Sequence, residues 1–278
     1  MNSIFPDLAS TAFGKFGAFL RRDTLISMSY KLSFVYSLVG IGFTLTSFFF
    51  IARLVSPETP VLEPYGGDYF SFVVIGLAFS SLMGSLNEGL PSAIRNAQVS
   101  GTFEALLATR TSLPVIMIGS SLYSFLFSML SSVLFIALAI ALFGMRMGRI
   151  NLLAALMVTS LTSVCYIGLG ILSASFILVY KMGNPLNWLL GSISGLFGGA
   201  LFPVSVLPPA IRWISRLLPV TYTLEAMRKC LLGSESLAQI MPEIKALLIF
   251  SVGILPMSIF LFRIALHKAM KDGTLSHF

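Results

Sequence analysis

Charge is what this chain has least of. Of its 278 residues only 10% are Asp, Glu, Lys or Arg and 56% are hydrophobic, whereas a soluble domain carries about 25% charged residues. With a mean hydropathy of +0.91, that composition excludes an ordinary soluble fold and places the chain in lipid. Histidine is nearly missing too. His267 and His277 both lie in the C-terminal tail, so the apolar segments hold no imidazole for a catalytic dyad, a haem or an intramembrane zinc site. Cys165 falls in an apolar run and Cys230 in a polar segment, which reads as two unpaired thiols rather than a disulfide. No Gly-x-x-x-x-Gly-Lys-Ser/Thr phosphate loop and no His-Glu-x-x-His pattern occurs. The chain therefore lacks the usual means of binding ATP by itself, and the same absences argue against an intramembrane enzyme.

What is abundant is uninterrupted apolar sequence. Six charge-free runs stand out: Leu32–Ala52, Tyr69–Asn87, Thr111–Met145, Ile150–Tyr180, Met182–Ile211 and Ala246–Phe262. Each has the roughly 17–25 residues that a helix needs to cross a bilayer. The first begins behind four basic residues, Lys15, Arg21, Arg22 and Lys31, too late and too long for a cleavable signal peptide, and is expected to stay in the mature protein. The net charge of +7 would suggest nucleic acid in a soluble protein. Here the basic residues flank apolar runs, so they read as anchors at anionic headgroups and as topology signals, with no nucleic-acid partner. Residues Leu8 to Arg22, with Phe13, Phe16, Phe19 and Leu20 among Lys15, Arg21 and Arg22, form an amphipathic pattern that suits a helix in the headgroup plane. Taking that helix as cytoplasmic puts ten basic residues inside and eight outside, a small positive-inside bias.

The stretch after the fifth run breaks the pattern. Pro203, Pro208, Pro209 and Pro219 prevent one continuous helix. Between them, Ile211–Leu218 and Val220–Leu232 have helical periodicity but carry Arg212, Arg216, Glu225, Arg228 and Lys229. That is too much charge for a lipid-exposed span, so the prediction is two short helices dipping part-way into the outer leaflet. Glu225 and Arg228, three apart, are placed to pair on one helical turn. The segment reads either as a solvated amphipathic surface or as an element that handles substrate.

Charge at mid-membrane, which an ion-coupled carrier uses, is absent from all six runs. Glu88 beside Asn87, near the inner end of the second run, comes nearest. Small residues recur instead: Gly76, Ser80 and Gly84 in the second run, Gly191, Gly195 and Gly199 in the fifth. Four-residue spacing lets helix backbones approach closely, within one chain or between two copies. The uncharged Ser, Thr and Asn residues of the spans suit a pathway for an amphipathic molecule and suit interhelical hydrogen bonds equally.

The inner loop, expected from Pro91 to Thr111, reads Gly101-Thr102-Phe103-Glu104-Ala105-Leu106-Leu107-Ala108-Thr109-Arg110. It is a short amphipathic helix by pattern, with Phe103, Leu106 and Leu107 on one side and Glu104 opposite. Together with FPVSVLPPAIRWISRLLPVTYTLEAMR from Phe202 to Arg228 and the basic tail HKAMKDGTLSHF, it resembles the membrane subunits of ABC-2-type transporters. Phe103 stands where that family usually has Leu, and Arg110 where Pro is common.

The resemblance implies an all-α polytopic protein, one membrane domain over residues 1–278. It would have an N-terminal cytoplasmic interfacial helix within 1–30, a coupling loop at 91–112, re-entrant outer helices at 203–233 and six transmembrane helices, with both termini in the cytoplasm of a bacterial inner membrane. It implies a second permease chain and a separate cytoplasmic ATPase, two copies, that carries the ATP and magnesium, with no cofactor on this chain. Gly101, Thr102, Phe103, Glu104, Leu106, Leu107 and Arg110 would couple to the ATPase, and Phe13, Phe16, Arg21 and Arg22 would help to grip it. Pro203, Pro208, Pro219, Glu225 and Arg228 would lie in the segment capping the exit. The expected substrate is a drug-like, lipid or lipid-linked amphiphile. The alternatives are a polysaccharide or glycolipid exporter, an ion-coupled secondary carrier and a non-transporting scaffold.

Overall fold

Lipid leaves no water to satisfy a peptide group, so apolar runs in a bilayer close their own hydrogen bonds as helices. A computed structural model describes residues 31–55, 60–99, 101, 113–180, 185–233 and 235–271, with Gly17, Arg21 and Thr24. Its order is α1 (Lys31–Leu54), a 3-10 turn (Pro60–Tyr65), α2 (Tyr69–Val99), α3 (Leu113–Phe143), α4 (Leu152–Tyr180) and α5 (Pro185–Phe197). A second 3-10 turn (Val204–Val206), α6 (Pro209–Arg216), α7 (Pro219–Leu231) and α8 (Leu237–Lys271) follow. Among the described residues the chain is all-helical, and five helices, α1, α2, α3, α4 and α8, are long and apolar enough to cross a membrane.

Helix ends are set locally. Asp68 caps α2, its carboxylate accepting the Phe70 and Ser71 amides at 3.2 and 3.0 Å. Asn151 caps α4 by accepting the Ala154 amide at 3.1 Å. Gly144, at φ +68°, stops α3. The Gly144 amide donates to Ile140 and the Met145 amide to Ala139, satisfying the last carbonyls.

Two sequence expectations change. Pro91 does not end the second helix, which runs 31 residues to Val99 with Pro91 inside it. The extension holds because Leu90 and Ile94 pack against Ile171, Ala174 and Leu178 of α4 and Phe262, Ala265 and Leu266 of α8, and this burial outweighs the hydrogen bond that proline forfeits. The expected inner loop therefore does not begin at Pro91, since the helix is continuous to Val99. The fifth run is not one crossing helix either. Its helix α5 has 13 residues, about 20 Å at 1.5 Å per residue, short of a hydrocarbon core of about 30 Å. Gly198 and Gly199 end it, Gly199 at φ +82°. The chain then turns through Pro203 and Pro208 into α6, with Pro209 at its first position, and into α7, with Pro219 at its first position. The two short helices are thus present.

The core is built from α2, α4, α7 and α8. The longest shared face is between α4 and α8, and α2 crosses α4 where Gly170 lies against the backbone of Leu86 and Asn87: a Cβ there would stand 3.1 Å from both carbonyl oxygens. α7 is seated among these helices, with Val220, Thr223, Leu224, Met227 and Arg228 buried. α1, by contrast, buries Leu45 and leaves Tyr36, Phe43 and Phe50 exposed. A helix apolar on all sides with little protein around it faces lipid or another chain.

Candidate functional site

Most hydroxyls of the spans have partners within the bundle. Thr162 of α4 and Thr223 of α7 share a hydrogen bond of 2.9 Å, Ser132 donates to the Ala78 carbonyl at 2.8 Å, and Ser251 donates to the Leu161 carbonyl at 3.0 Å. Thr159, Ser163 and Ser175 bond carbonyls one turn back in their own helix. The first group joins helices, and for it the packing role applies; the second is satisfied within its own helix.

A different group faces open space. Between α2, α4 and α5 lies a cavity of about 250 Å³, walled by Ser80, Met83, Gly84 and Asn87 of α2, Tyr166 and Leu169 of α4, and Leu190, Gly191, Ser194 and Gly195 of α5. Leu218, Pro219 and Val220, at the entry to α7, close one side. The two small-residue stripes therefore meet here. They do not zip together: a Cβ at Gly84, Gly191 or Gly195 would find no atom within 4 Å. The lining is apolar with a few uncharged polar groups. Asn87, 4% exposed, donates through Nδ2 to the Asn187 side chain. Its Oδ1 and the Ser80 hydroxyl are buried without a partner among the described residues. Groups of this kind are costly in a static core.

Gly76 belongs elsewhere. Its Cβ would stand 2.1 Å from the Ala200 carbonyl oxygen and 2.7 Å from Nη2 of Arg228. Here α2 yields room to a buried guanidinium, 2% exposed. Arg228 donates from Nε to the Phe72 carbonyl at 3.2 Å and from Nη2 to the Ala200 carbonyl at 3.0 Å, and its Cζ sits 3.4 Å from the Phe72 ring centroid. The expected pairing of Glu225 with Arg228 is not what forms. Glu225 instead accepts the Tyr65 hydroxyl at 2.8 and 3.0 Å, because α7 lies against the 60–65 turn and not against an open headgroup layer. Lys229, on the other side of α7, pairs with Glu243 of α8 at 2.9 Å. α7 is thereby tied to the first loop, to α2, to the turn after α5 and to α8. Sequence reasoning named both charged residues as mutual partners. Tyr65 was the residue it missed, and only its place in an aromatic-flanked turn hinted at it.

Burial pushes the Tyr65 hydroxyl well above the ordinary tyrosine range, and the Glu225 carboxylate adds to that, so the phenol stays a hydrogen-bond donor across the physiological range. Tyr65→Phe is expected to lower stability by about 1–3 kcal/mol, the cost of leaving a largely buried carboxylate without its donor. A thermal melt in detergent reads the loss, and an unchanged midpoint would show that this hydrogen bond holds nothing.

Of the residues expected to couple to an ATPase, Gly101 is described, exposed and at φ +67°, with its amide donating to the Gln98 carbonyl at 3.0 Å. Thr102, Phe103, Glu104, Leu106, Leu107 and Arg110 lie outside the described residues, as do Phe13, Phe16 and Arg22. Arg21 is helical and exposed. Pro203 is buried in extended backbone, and Pro208 precedes α6. Cys165 and Cys230 are free thiols.

Five helices long and apolar enough to cross a membrane, around an internal cavity that is apolar but dotted with uncharged polar groups, define a polytopic membrane protein. The chain belongs to the ABC-2 type transporter family, whose model matches residues 16–232, a stretch that includes the inner loop and the α6–α7 segment. The family is one of permeases that normally pair with an ABC ATPase and are not themselves catalytic. Two relatives are nodulation protein J of Rhizobium meliloti, 26% identical over 61% of this chain and 64% of that protein, and nodulation protein J of Sinorhizobium fredii, 27% identical over 67% and 71%. The chain thus spans a little under two thirds of the first relative.

Proposed function

We propose that this chain is the membrane half of an ATP-driven exporter for an amphipathic molecule, drug-like, lipid or lipid-linked, working as two copies with two ATPase subunits. The observation that carries this reading is the α2–α4–α5 cavity, where both small-residue stripes leave open space beside the buried Ser80 and Asn87 oxygens. An apolar guest with a few polar groups fits such a lining, and a hydrated ion does not. In this reading the sixth crossing is made in pieces. α5 starts beside Asn87, and the chain reaches the opposite end of the bundle by Leu231, whose carbonyl accepts the Gly148 amide at 3.0 Å. α6 and α7 form the re-entrant pair near the exit. Both termini are then cytoplasmic in a bacterial inner membrane.

Energy has to come from outside the spans. Gly101 to Arg110 would be the coupling helix pushed by the ATPase, which holds ATP and magnesium, and the N-terminal interfacial helix would help to grip it. The exposed apolar faces of α1 and α5, including Phe43, Trp188 and Leu196, are available to a second copy. The test is co-purification with the neighbouring ATPase and ATP hydrolysis in lipid vesicles. Leu106→Glu is expected to lower turnover about ten-fold, since a charge on the apolar docking face costs more than 1.4 kcal/mol, and Glu104→Ala to lower it less. Turnover indifferent to both changes would return the carrier and scaffold readings to the front.

A further inference from the structure

Among the described residues, a larger cavity than the one between the small-residue stripes lies elsewhere. At the end of the bundle where α1 and α3 finish and α2 begins, a space of about 690 Å³ opens between Phe49 and Arg53 of α1, the Gly66-Gly67 turn, Phe70 of α2, and Phe143 and Arg146 beyond α3. Apart from Leu232, just beyond α7, every wall belongs to a span terminus or to the loop joining two spans, so the cavity sits at the membrane–water interface.

Its two halves differ in chemistry. The floor is aromatic: Phe49, Phe70 and Phe143 pack with ring centroids 5.0–5.7 Å apart. The rim carries two guanidiniums, Arg53 and Arg146. Neither has a carboxylate partner among the described residues, and Arg53 lies 4.9 Å from the Phe49 ring centroid. One acidic side chain, Asp68, also lines the space. Its carboxylate is occupied by the Phe70 and Ser71 amides and the Ser71 hydroxyl at the start of α2, so it offsets little of the rim's positive charge. The walls are braced by backbone: the Ser71 hydroxyl also reaches the Arg146 carbonyl at 3.4 Å, and the Gly148 amide donates to Leu231.

We infer that this cavity is a binding site for the phosphate-bearing headgroup of an anionic membrane lipid, with Arg53 and Arg146 on the phosphate and the aromatic floor under the first carbons of the chains. Two arginines suit this better than lysines would, because planar guanidinium forks match phosphate oxygens two at a time. The volume far exceeds a lone phosphate, and the apolar floor has no use for one. The site is separate from the proposed transport cavity and requires no ATPase, so it stands or falls independently of the exporter reading.

The test uses the full chain in phosphatidylcholine nanodiscs containing spin-labelled phosphatidylglycerol or, in parallel, spin-labelled phosphatidylcholine. The native chain is expected to immobilise the anionic lipid selectively. Arg53→Gln with Arg146→Gln should weaken that selectivity about ten-fold, the corresponding double change to Lys should weaken it less, and Lys245→Gln should leave it intact. A thermal melt checks that each variant is folded, which the exposure of both arginines favours. Selectivity unchanged in the folded Gln double variant would overturn the proposal. So would displacement of the labelled lipid by excess inorganic phosphate alone, which would make the ligand a free anion.

Discussion

Gly76→Val is expected to stop the protein from accumulating in the membrane in folded form. At this position the missing side chain is what lets the carbonyl of Ala200 and the guanidinium of Arg228 approach α2, and a Cβ would come within 2.1 Å of the former. The flexible guanidinium could move aside; the carbonyl is backbone and is held by Arg228 itself at 3.0 Å. Overpacking a well-filled core costs about 1–3 kcal/mol and more where backbone must shift, so the valine variant should exceed that range and Gly76→Ala should reach its upper end. Expression with size-exclusion profile, followed by a melt of whatever is recovered, measures the effect. Gly84→Ala is the matched control. It lies on the same stripe two turns on, has nothing within 4 Å, and should melt as the native chain does. If both alanine variants behave alike, the close approach of α2 to Ala200 is not a feature of the folded protein.

Arg228→Met should be the next most damaging change. The methionine fills part of the volume, but the Ala200 carbonyl loses its donor, the Phe72 ring its cation, and Glu225 the nearby positive charge. Leaving a buried acceptor unpaired costs about 1–3 kcal/mol, and the residual void adds to it. A total loss of about 3 kcal/mol is expected. Arg228→Lys should recover little, since one ammonium cannot reach two carbonyls on different elements while lying flat on a ring. The informative readout is the pair with Glu225→Gln: if Arg228 and Glu225 acted as an ion pair, the double variant would melt near the better single variant. Each has hydrogen-bond partners of its own, but the Arg228 charge lies near Glu225 and over the Tyr65 ring, so the losses should add except for that shared electrostatic part.

The contrast among glycines shows what pattern can carry. Spacing alone placed Gly76, Ser80, Gly84, Gly191, Gly195 and Gly199 on two stripes, and the structure does bring most of these residues to one region. Only contact geometry separates their roles: Gly76 for a close crossing, Gly199 for a left-handed turn, Gly84, Gly191 and Gly195 for open space. The same holds for Pro91. The sequence pattern begins the inner loop there, and the apolar contacts of Leu90 and Ile94 with two other helices go with a helix that runs past it.

The sequence by itself determined that this is an all-helical protein of lipid, because 21 or more consecutive uncharged, largely apolar residues, as in Leu32–Ala52, have no other way to satisfy their peptide groups in a bilayer. It determined too, through the inner-loop and Phe202–Arg228 stretches, which family of permeases the chain resembles. The tertiary structure alone decided that the helix of the fifth run ends at Phe197, that Arg228 takes backbone carbonyls and Glu225 takes Tyr65, and where space is left between helices. These are matters of which surfaces meet. Helix formation in lipid is dictated residue by residue along the chain, whereas partners 156 and 160 positions apart, as in Arg228 with Phe72 and Glu225 with Tyr65, exist only once the helices have packed.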